Sequence, residues 1–222
     1  MILYAGDTHG NVGALVHLEN AAKEIGADII IQAGDFGVHF AENNMAAKWF
    51  QQRKGGPIWI TCGGNHDNWP FWRSLPKVDV FDGSVHELAP GCFFAERSTV
   101  LNLGGEKHIF FGGAESIDKY RRREGQDWWP EETPSYPEFC SFMDALELHK
   151  PSVVVAHDAP ASVPIWKLNR TNNPTPRNLE NLFRNSEHKP DRWYFGHHHI
   201  CKEWDISGTR FICTGIEGDW SK

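Results

Sequence analysis

The sequence predicts an α/β fold. Between residues 2 and 61, three short apolar runs alternate with two stretches of helical spacing, a βαβαβ order. Each run leads into a small polar cluster: Gly6-Asp7-Thr8-His9, Gly34-Asp35, and Gly63-Gly64-Asn65-His66-Asp67. Ligands of open α/β sheets gather where the strands end, so the order that predicts the sheet also predicts the site.

Ile2-Leu3-Tyr4-Ala5 forms the first strand. Asn11 caps the helix that follows, Leu15, Leu18, Ala22 and Ile25 fall at helical spacing, and Gly26 stops it. Asp28 to Ala33 (DIIIQA) is a continuous apolar strand, the pattern of a sheet covered on both faces. A second helix, about Asn43 to Arg53, is closed by Gly55-Gly56-Pro57, and Pro57 to Thr61 is the third strand. The three strands are expected to be parallel, with right-handed crossovers. Between residues 78 and 111 the runs Val78-Phe81, Val85-Leu88, Cys92-Ala95, Thr99-Leu103 and His108-Phe111, with turns at Asp82-Gly83 and Gly104-Gly105, predict antiparallel hairpins. Residues 112–138 have no periodicity, and a loop this long inside a compact domain is usually functional.

A helix from about Tyr136 to His149 follows, with Phe139, Phe142, Met143 and Leu146 on one side. Ser152 to Ala156 is a buried strand ending at His157-Asp158; 160–177 is irregular; a helix lies near Asn178 to Asn185. Arg192 to Phe195 is a strand ending at Gly196-His197-His198-His199, and Lys202-Ile206 and Thr209-Thr214 close the chain through a turn at Ser207-Gly208. One domain over 1–222, with an insertion at about 112–138, is the expected organisation.

At 222 residues the chain can bury a sizeable core without covalent staples. Its five Cys are odd in number and form no CxxC pair, which argues against a disulfide framework or a thiolate zinc site and for a reducing cytosol. Met1 runs straight into the first motif, and no apolar run approaches the roughly 18 residues of a membrane span, so a cytoplasmic protein without a membrane partner is expected. The net charge of −7 argues against non-specific binding to nucleic-acid phosphates. A phosphorylated substrate remains open, because bound metal would invert the local field.

Five strand ends thus present Asp7, His9, Asp35, Asn65, His66, His157, His197 and His199. A carboxylate can bridge two cations, and imidazole with carbonyl-type oxygen suits Mn, Fe, Ni or Zn. Residues two apart on extended backbone point the same way, so His197 and His199 are expected to face the site while His198 points out to solvent. With no thiolate in the set, the pattern favours an open hydrolytic site over a structural zinc. His17, His86, His108, His149 and His188 are expected at the surface or in satisfied polar contacts, and Asp158 is either a support for a ligand or a turn residue.

The ordered set D-x-H (Asp7, His9), G-D (Asp35), G-N-H-D (Asn65, His66, Asp67), H (His157) and G-H-x-H (His197, His199) resembles the calcineurin-like metallophosphoesterase superfamily, and the stretch Gly112 to Arg123 resembles its small bacterial and phage members. The resemblance implies a four-layer αββα sandwich of two mixed β-sheets flanked by helices, with two divalent metal ions, manganese first and Fe, Zn or Ni as alternatives. On the matching positions, Asp7, His9 and His199 would hold one ion and Asn65, His157 and His197 the other, with Asp35 bridging. His66 would act on the substrate beyond the metals, as acid or charge stabiliser. The implied reaction is hydrolysis of a phosphomonoester or small phosphodiester by attack of a metal-bridging hydroxide, with Asp35 and His66 as catalytic residues.

The alternatives are a nuclease or cyclic-nucleotide phosphodiesterase and, from another class, a non-catalytic scaffold like the retromer subunit of this superfamily. That subunit lacks part of the constellation; here all of it is present. The stretch Gly34-Asp35-Phe36-Gly37-Val38-His39 lacks the Asp-Arg pair of phosphoprotein phosphatases and the Arg of dinucleoside-tetraphosphate hydrolases, and Asp67 stands where the former carry Glu. His39 is a candidate to reach phosphate in place of that Arg. Arg121 and Arg122, before Trp128-Trp129, are candidates for a phosphate grip beside a stacking platform, against local ion pairing to Glu131 or Glu132. The expected partner is a phosphorylated small molecule or nucleotide, with nucleic acid disfavoured and the oligomeric state open.

Overall fold

The computed structural model describes residues 1–37, 45–165 and 173–215. Two six-stranded mixed sheets stack between helices. The first sheet has the order β1-β2-β3-β6-β5-β4, from β1 (Ile2–Ala5), β2 (Ile29–Gln32), β3 (Ile58–Thr61), β4 (Lys77–Val80), β5 (Gly83–Ala89) and β6 (Cys92–Phe94). The second has the order β11-β12-β10-β9-β8-β7, from β7 (Val100–Leu103), β8 (Glu106–Phe111), β9 (Val153–Ala156), β10 (Arg192–Phe195), β11 (Cys201–Ile206) and β12 (Thr209–Thr214).

Alternation along each strand builds the layers. Ile29 and Ile31 of β2 point between the sheets, where they meet Phe110, Val153 and Val155 of the second sheet. Ile30 points the other way, into a core with Leu15 and Leu18 of α1 (Val12–Ile25), Phe50 of α2 (Met45–Gln52) and Trp72 of α3 (Trp69–Ser74). Likewise Val154 faces Phe142 of α4 (Tyr136–His149) and Leu179 of α5 (Pro174–Asn185), opposite to its neighbours. Both faces of the central strands are therefore buried, which explains why IIIQ and VVVA read as unbroken apolar runs.

The expected parallel set β1-β2-β3 is present in register, Ile2 opposite Ile29 and Ile29 opposite Ile58. Asn11 Oδ1 accepts the Gly13 N–H at 2.8 Å, and Gly26 ends α1 at φ 71°. Of the middle runs, β4-β5, β5-β6 and β7-β8 are antiparallel as expected. Two pairings differ: β6 lies parallel to β3, and β8 parallel to β9. The chain leaves the first sheet after β6 and enters the second at β7, so β6 and β8 each have one sequence-near partner and one distant one. The first hairpin turns at Phe81-Asp82, both in the left-handed region, one residue ahead of the expected Asp82-Gly83. Helix α3 was not expected; Asn68 caps it by accepting the Phe71 N–H at 3.0 Å, and Trp69 and Trp72 bury its inner face. Helix α5 begins four residues earlier than expected, where Asn173 caps a Pro174 start.

Candidate functional site

The polar clusters converge beyond the C-terminal ends of β1, β2, β3, β9 and β10. Two groups of side chains there could each hold a metal ion: Asp7, His9 and His199, and Asp35, His157 and His197. Asp35 stands between them. Its Oδ1 lies 3.3 Å from His157 Nε2, and its Oδ2 lies 4.0 Å from His9 Nε2. Asn65 joins the buried group, its Oδ1 3.0 Å from His157 Nε2. The ring of His66 lies edge-on to that of His9 at 5.2 Å, and its backbone N–H donates to Asp35 Oδ1 at 2.7 Å.

The donor chemistry fits cations. His157 Nδ1 lies 2.8 Å from the Ala33 carbonyl, which can only accept, so Nδ1 carries the hydrogen. Nε2 faces two acceptors, Asn65 Oδ1 and Asp35 Oδ1; burial opposes its charge, but Asp35 and Asp7 raise His157 to about 10, so without a cation Nε2 carries a second hydrogen, and a bound cation would take that hydrogen's place. His9 Nε2 and His199 Nε2 lie 3.3 Å apart. Ligand nitrogens and oxygens about 3 Å apart match the edges of a coordination shell whose bonds are about 2.0–2.2 Å. Asp35, Asn65 and His157 are buried while His9 and His199 are exposed, so the pocket is open on one side.

Electrostatics follow the same plan. Burial pushes Asp7 upward, and the neighbouring Asp35 carboxylate adds to this. Burial opposes ionisation of Asp35 too, but His157 holds it well below the usual range. Burial, with His157 adding, drives His197 down to about 3, leaving a neutral imidazole able to donate a lone pair.

The extended-backbone argument for His197 and His199 does not hold. Both sit in the left-handed region, at φ 66° and 52°, as do His9 at 47° and Asp35 at 53°. Strain of this kind in non-glycine residues clusters at functional sites. The turn sends His197 to the Asp35 group and His199 to the Asp7 group. His198 is correspondingly buried, not exposed, with Nε2 3.0 Å from Asp158 Oδ1. Asp158 thereby supports the histidine turn, and it also accepts the Ala159 N–H.

Two glycines are demanded by closeness. At Gly64 a Cβ would fall 2.1 Å from Asp35 Oδ1, and at Gly34, with φ +86°, it would fall 2.5 Å from His157 Nδ1. Asp67 ties the clusters together: it accepts N–H bonds from Gly64 at 2.8 Å, Gly37 at 2.9 Å and Phe36 at 3.1 Å. Gln32, inside an otherwise apolar strand, donates to the Gly6 carbonyl and accepts from Thr61 Oγ1 and Gly34 N. It links the ends of β1, β2 and β3.

A family model for calcineurin-like phosphoesterases matches residues 1–201. The chain belongs to the calcineurin-like phosphoesterase family. The solved structure of TT1561 from Thermus thermophilus is similar over 97% of this chain and 88% of that one, with TM-score 0.63 and 16% identity. The structure of GAP50, described as the anchor in the inner membrane complex of Plasmodium, is similar over 96% of this chain and 70% of that one, with TM-score 0.54 and 14% identity. Identities this low speak for the fold alone. No match was found among curated proteins.

The segment 112–138 is pinned by a residue that the sequence reading missed. Arg97, buried and 4.0 Å above the Trp69 ring, donates to the carbonyls of Gly112, Glu131 and Glu132 and to Glu138 Oε1. Arg122 reaches the site: Nη1 and Nη2 each lie 3.1 Å from a ring nitrogen of His66, and Nη2 pairs with Asp118 at 2.9 Å. Arg121 is exposed beside the Tyr120 ring. Of the two tryptophans, Trp129 is buried and Trp128 is half-buried with its indole nitrogen covered, while Ile117, Tyr120 and Tyr136 are the large exposed apolar side chains of the segment. Nor does Glu132 pair with the arginines by hydrogen bonding; it is buried against Ser116. His39 lies outside the described residues. Of the remaining histidines, His86, His108 and His188 have polar partners and His17 and His149 are exposed, as expected. No helix among the described residues is long and apolar enough to cross a membrane.

Proposed function

We propose that this chain is a dinuclear-metal hydrolase of phosphomonoesters or small phosphodiesters, with a phosphorylated small molecule or nucleotide as substrate. The observation that carries this reading is the division of Asp35, one oxygen toward His157 and the other toward His9. Asp7, His9 and His199 would hold one ion, Asn65, His157 and His197 the other, and Asp35 both. Manganese is the first choice, with Fe, Zn or Ni as alternatives. When bound, such a pair supplies Lewis acidity and a nucleophilic water at neutral pH.

The chain's own residues do the rest. Asp35 Oδ1 holds the backbone of His66, which sets its ring beside the pocket mouth. There His66 hydrogen-bonds a phosphoryl or leaving-group oxygen. Arg122, held by Asp118, turns from His66 to the phosphate when substrate arrives, and Arg121 adds positive charge at the rim. Five free cysteines, three of them buried, suit a reducing cytoplasm. A nuclease or cyclic-nucleotide reading uses the same pocket, and a scaffold reading needs no turnover.

The test is a panel of p-nitrophenyl phosphate, its bis-ester, cyclic and linear nucleotides and phosphopeptides, each run with Mn, Fe, Ni and Zn. Turnover of small esters is expected, with His66→Ala slower by about 10²–10⁴-fold while both metals stay bound. Metal uptake without hydrolysis of any ester would leave the scaffold reading; loss of metal in His66→Ala would mean its role is misassigned.

A further inference from the structure

We propose that Ser116 and Glu132, both in the 112–138 segment, form a positioning relay that fixes which end of the Asn65 carboxamide faces the cation pocket. This rests on the metal reading above. An asparagine can ligate a cation only through its oxygen, yet its two ends are nearly the same size, so something must choose between them.

Glu132 Oε1 accepts the Ser116 N–H at 2.6 Å, and Oε2 accepts the Ser116 hydroxyl at 2.9 Å. Burial raises the Glu132 carboxyl to about 7; above that pH, where it is ionised, the hydroxyl has spent its only hydrogen on it and its oxygen can only accept. The Asn65 amide nitrogen, 3.2 Å away, is the one end of the carboxamide that can satisfy it. Asn65 Oδ1 is thereby turned toward His157 Nε2 and the pocket. Glu132 and Ser116 are both buried, so water does not compete for these groups. Arg97 holds the relay in place by donating to the Glu132 carbonyl at 3.1 Å and to the Gly112 carbonyl at 2.8 Å. The segment beside the pocket thus reaches one metal ligand directly through hydrogen bonds and leaves Asp7, His9 and His199 to other supports.

The relay is tested on the full chain with Glu132→Gln and Ser116→Ala. In Glu132→Gln the amide oxygen stays on the Ser116 N–H and the amide nitrogen now donates to the hydroxyl. The serine hydrogen is released toward Asn65, whose oxygen turns to accept it, and an NH2 group faces the pocket. Calorimetric titration with manganese should show one of the two dissociation constants raised by about 10–100-fold in either variant, the range for lost partners of metal ligands. The other constant should stay within about twofold, and the metal-free melting temperature should move little. In a crystal of the wild-type chain soaked with manganese, Asn65 Oδ1 should face the ion and Nδ2 should face Ser116.

Unchanged constants in both variants, a parallel loss of both constants with a lowered melting temperature, or a crystal with Asn65 turned the other way would each overturn the relay while leaving the metal reading intact. A wild-type chain that takes up no manganese, iron, nickel or zinc would overturn both.

Discussion

Replacing Asp67 by asparagine should loosen the site without changing its size. The Asp67 carboxylate is fully buried and accepts three backbone N–H bonds from the two loops that carry Asp35 and Asn65. Asparagine keeps one oxygen. Placed where Oδ2 is, that oxygen retains the bonds from Phe36 and Gly64, but as neutral ones. Hydrogen bonds to a charged group contribute about 1.5–3 kcal/mol against about 1 for neutral ones, so these two weaken by about 2 kcal/mol together. The new amide nitrogen then faces the Gly37 N–H, donor against donor, at a further cost of about 1–3 kcal/mol. Burying an amide in place of a carboxylate returns part of this, leaving about 3 kcal/mol. For a chain of this length that is about 6–12 °C in melting temperature. The assay is thermal unfolding of the metal-free protein, followed by manganese titration, in which affinity should fall because the loops no longer hold one another. A melting temperature within about 2 °C of wild type, with unchanged affinity, would refute the idea that Asp67 clasps the two loops.

Gly64→Ala should abolish metal binding at the bridging position, since its Cβ would lie 2.1 Å from Asp35 Oδ1 and 2.2 Å from the Asp35 backbone nitrogen; wild-type manganese stoichiometry would count against the packing argument. Arg122→Ala should raise KM by about 10–100-fold, the worth of a charge-assisted hydrogen bond, with both metals retained. An unchanged profile across the ester panel would remove the segment from substrate binding. Burial pushes Glu138 up, but Arg97 and the Ser135 donors outweigh it and hold the carboxyl at about 2, below its ordinary 4.5. A lowered folded-state value means stabilisation that is full above about 4.5 and is lost as pH falls toward about 2. The urea-unfolding gap between wild type and Glu138→Gln should therefore be about 1–2 kcal/mol at pH 7, discounted for partial exposure, and close in acid. A gap that stays constant down to pH 3 would show that the Arg97 pair is not its source.

The amino-acid order alone determined the strand and helix alternation, because apolar period and capping residues act over a few positions. Ile29 to Gln32 needs no distant partner to read as a strand, nor Asn11 to read as a cap. It also determined that Asp7, His9, Asp35, Asn65, His66, His157, His197 and His199 stand at strand ends; the stacking of two sheets brings them together. Pairing between distant segments was decided by the tertiary structure: β6 beside β3 and β8 beside β9 follow from burying both faces of two sheets, a global condition no local run contains. The same holds for the supports of the site. Asp67, Gln32, Arg97, Ser116 and Glu132 are polar residues whose partners lie up to 51 positions away, and nothing in their own neighbourhoods says that they will be buried. His198 makes the point most directly. Strand alternation turned it out to solvent, but a left-handed residue on each side, His197 and His199, turned it inward to Asp158. Local sequence sets what a side chain can do chemically; only the packed chain decides which way it points.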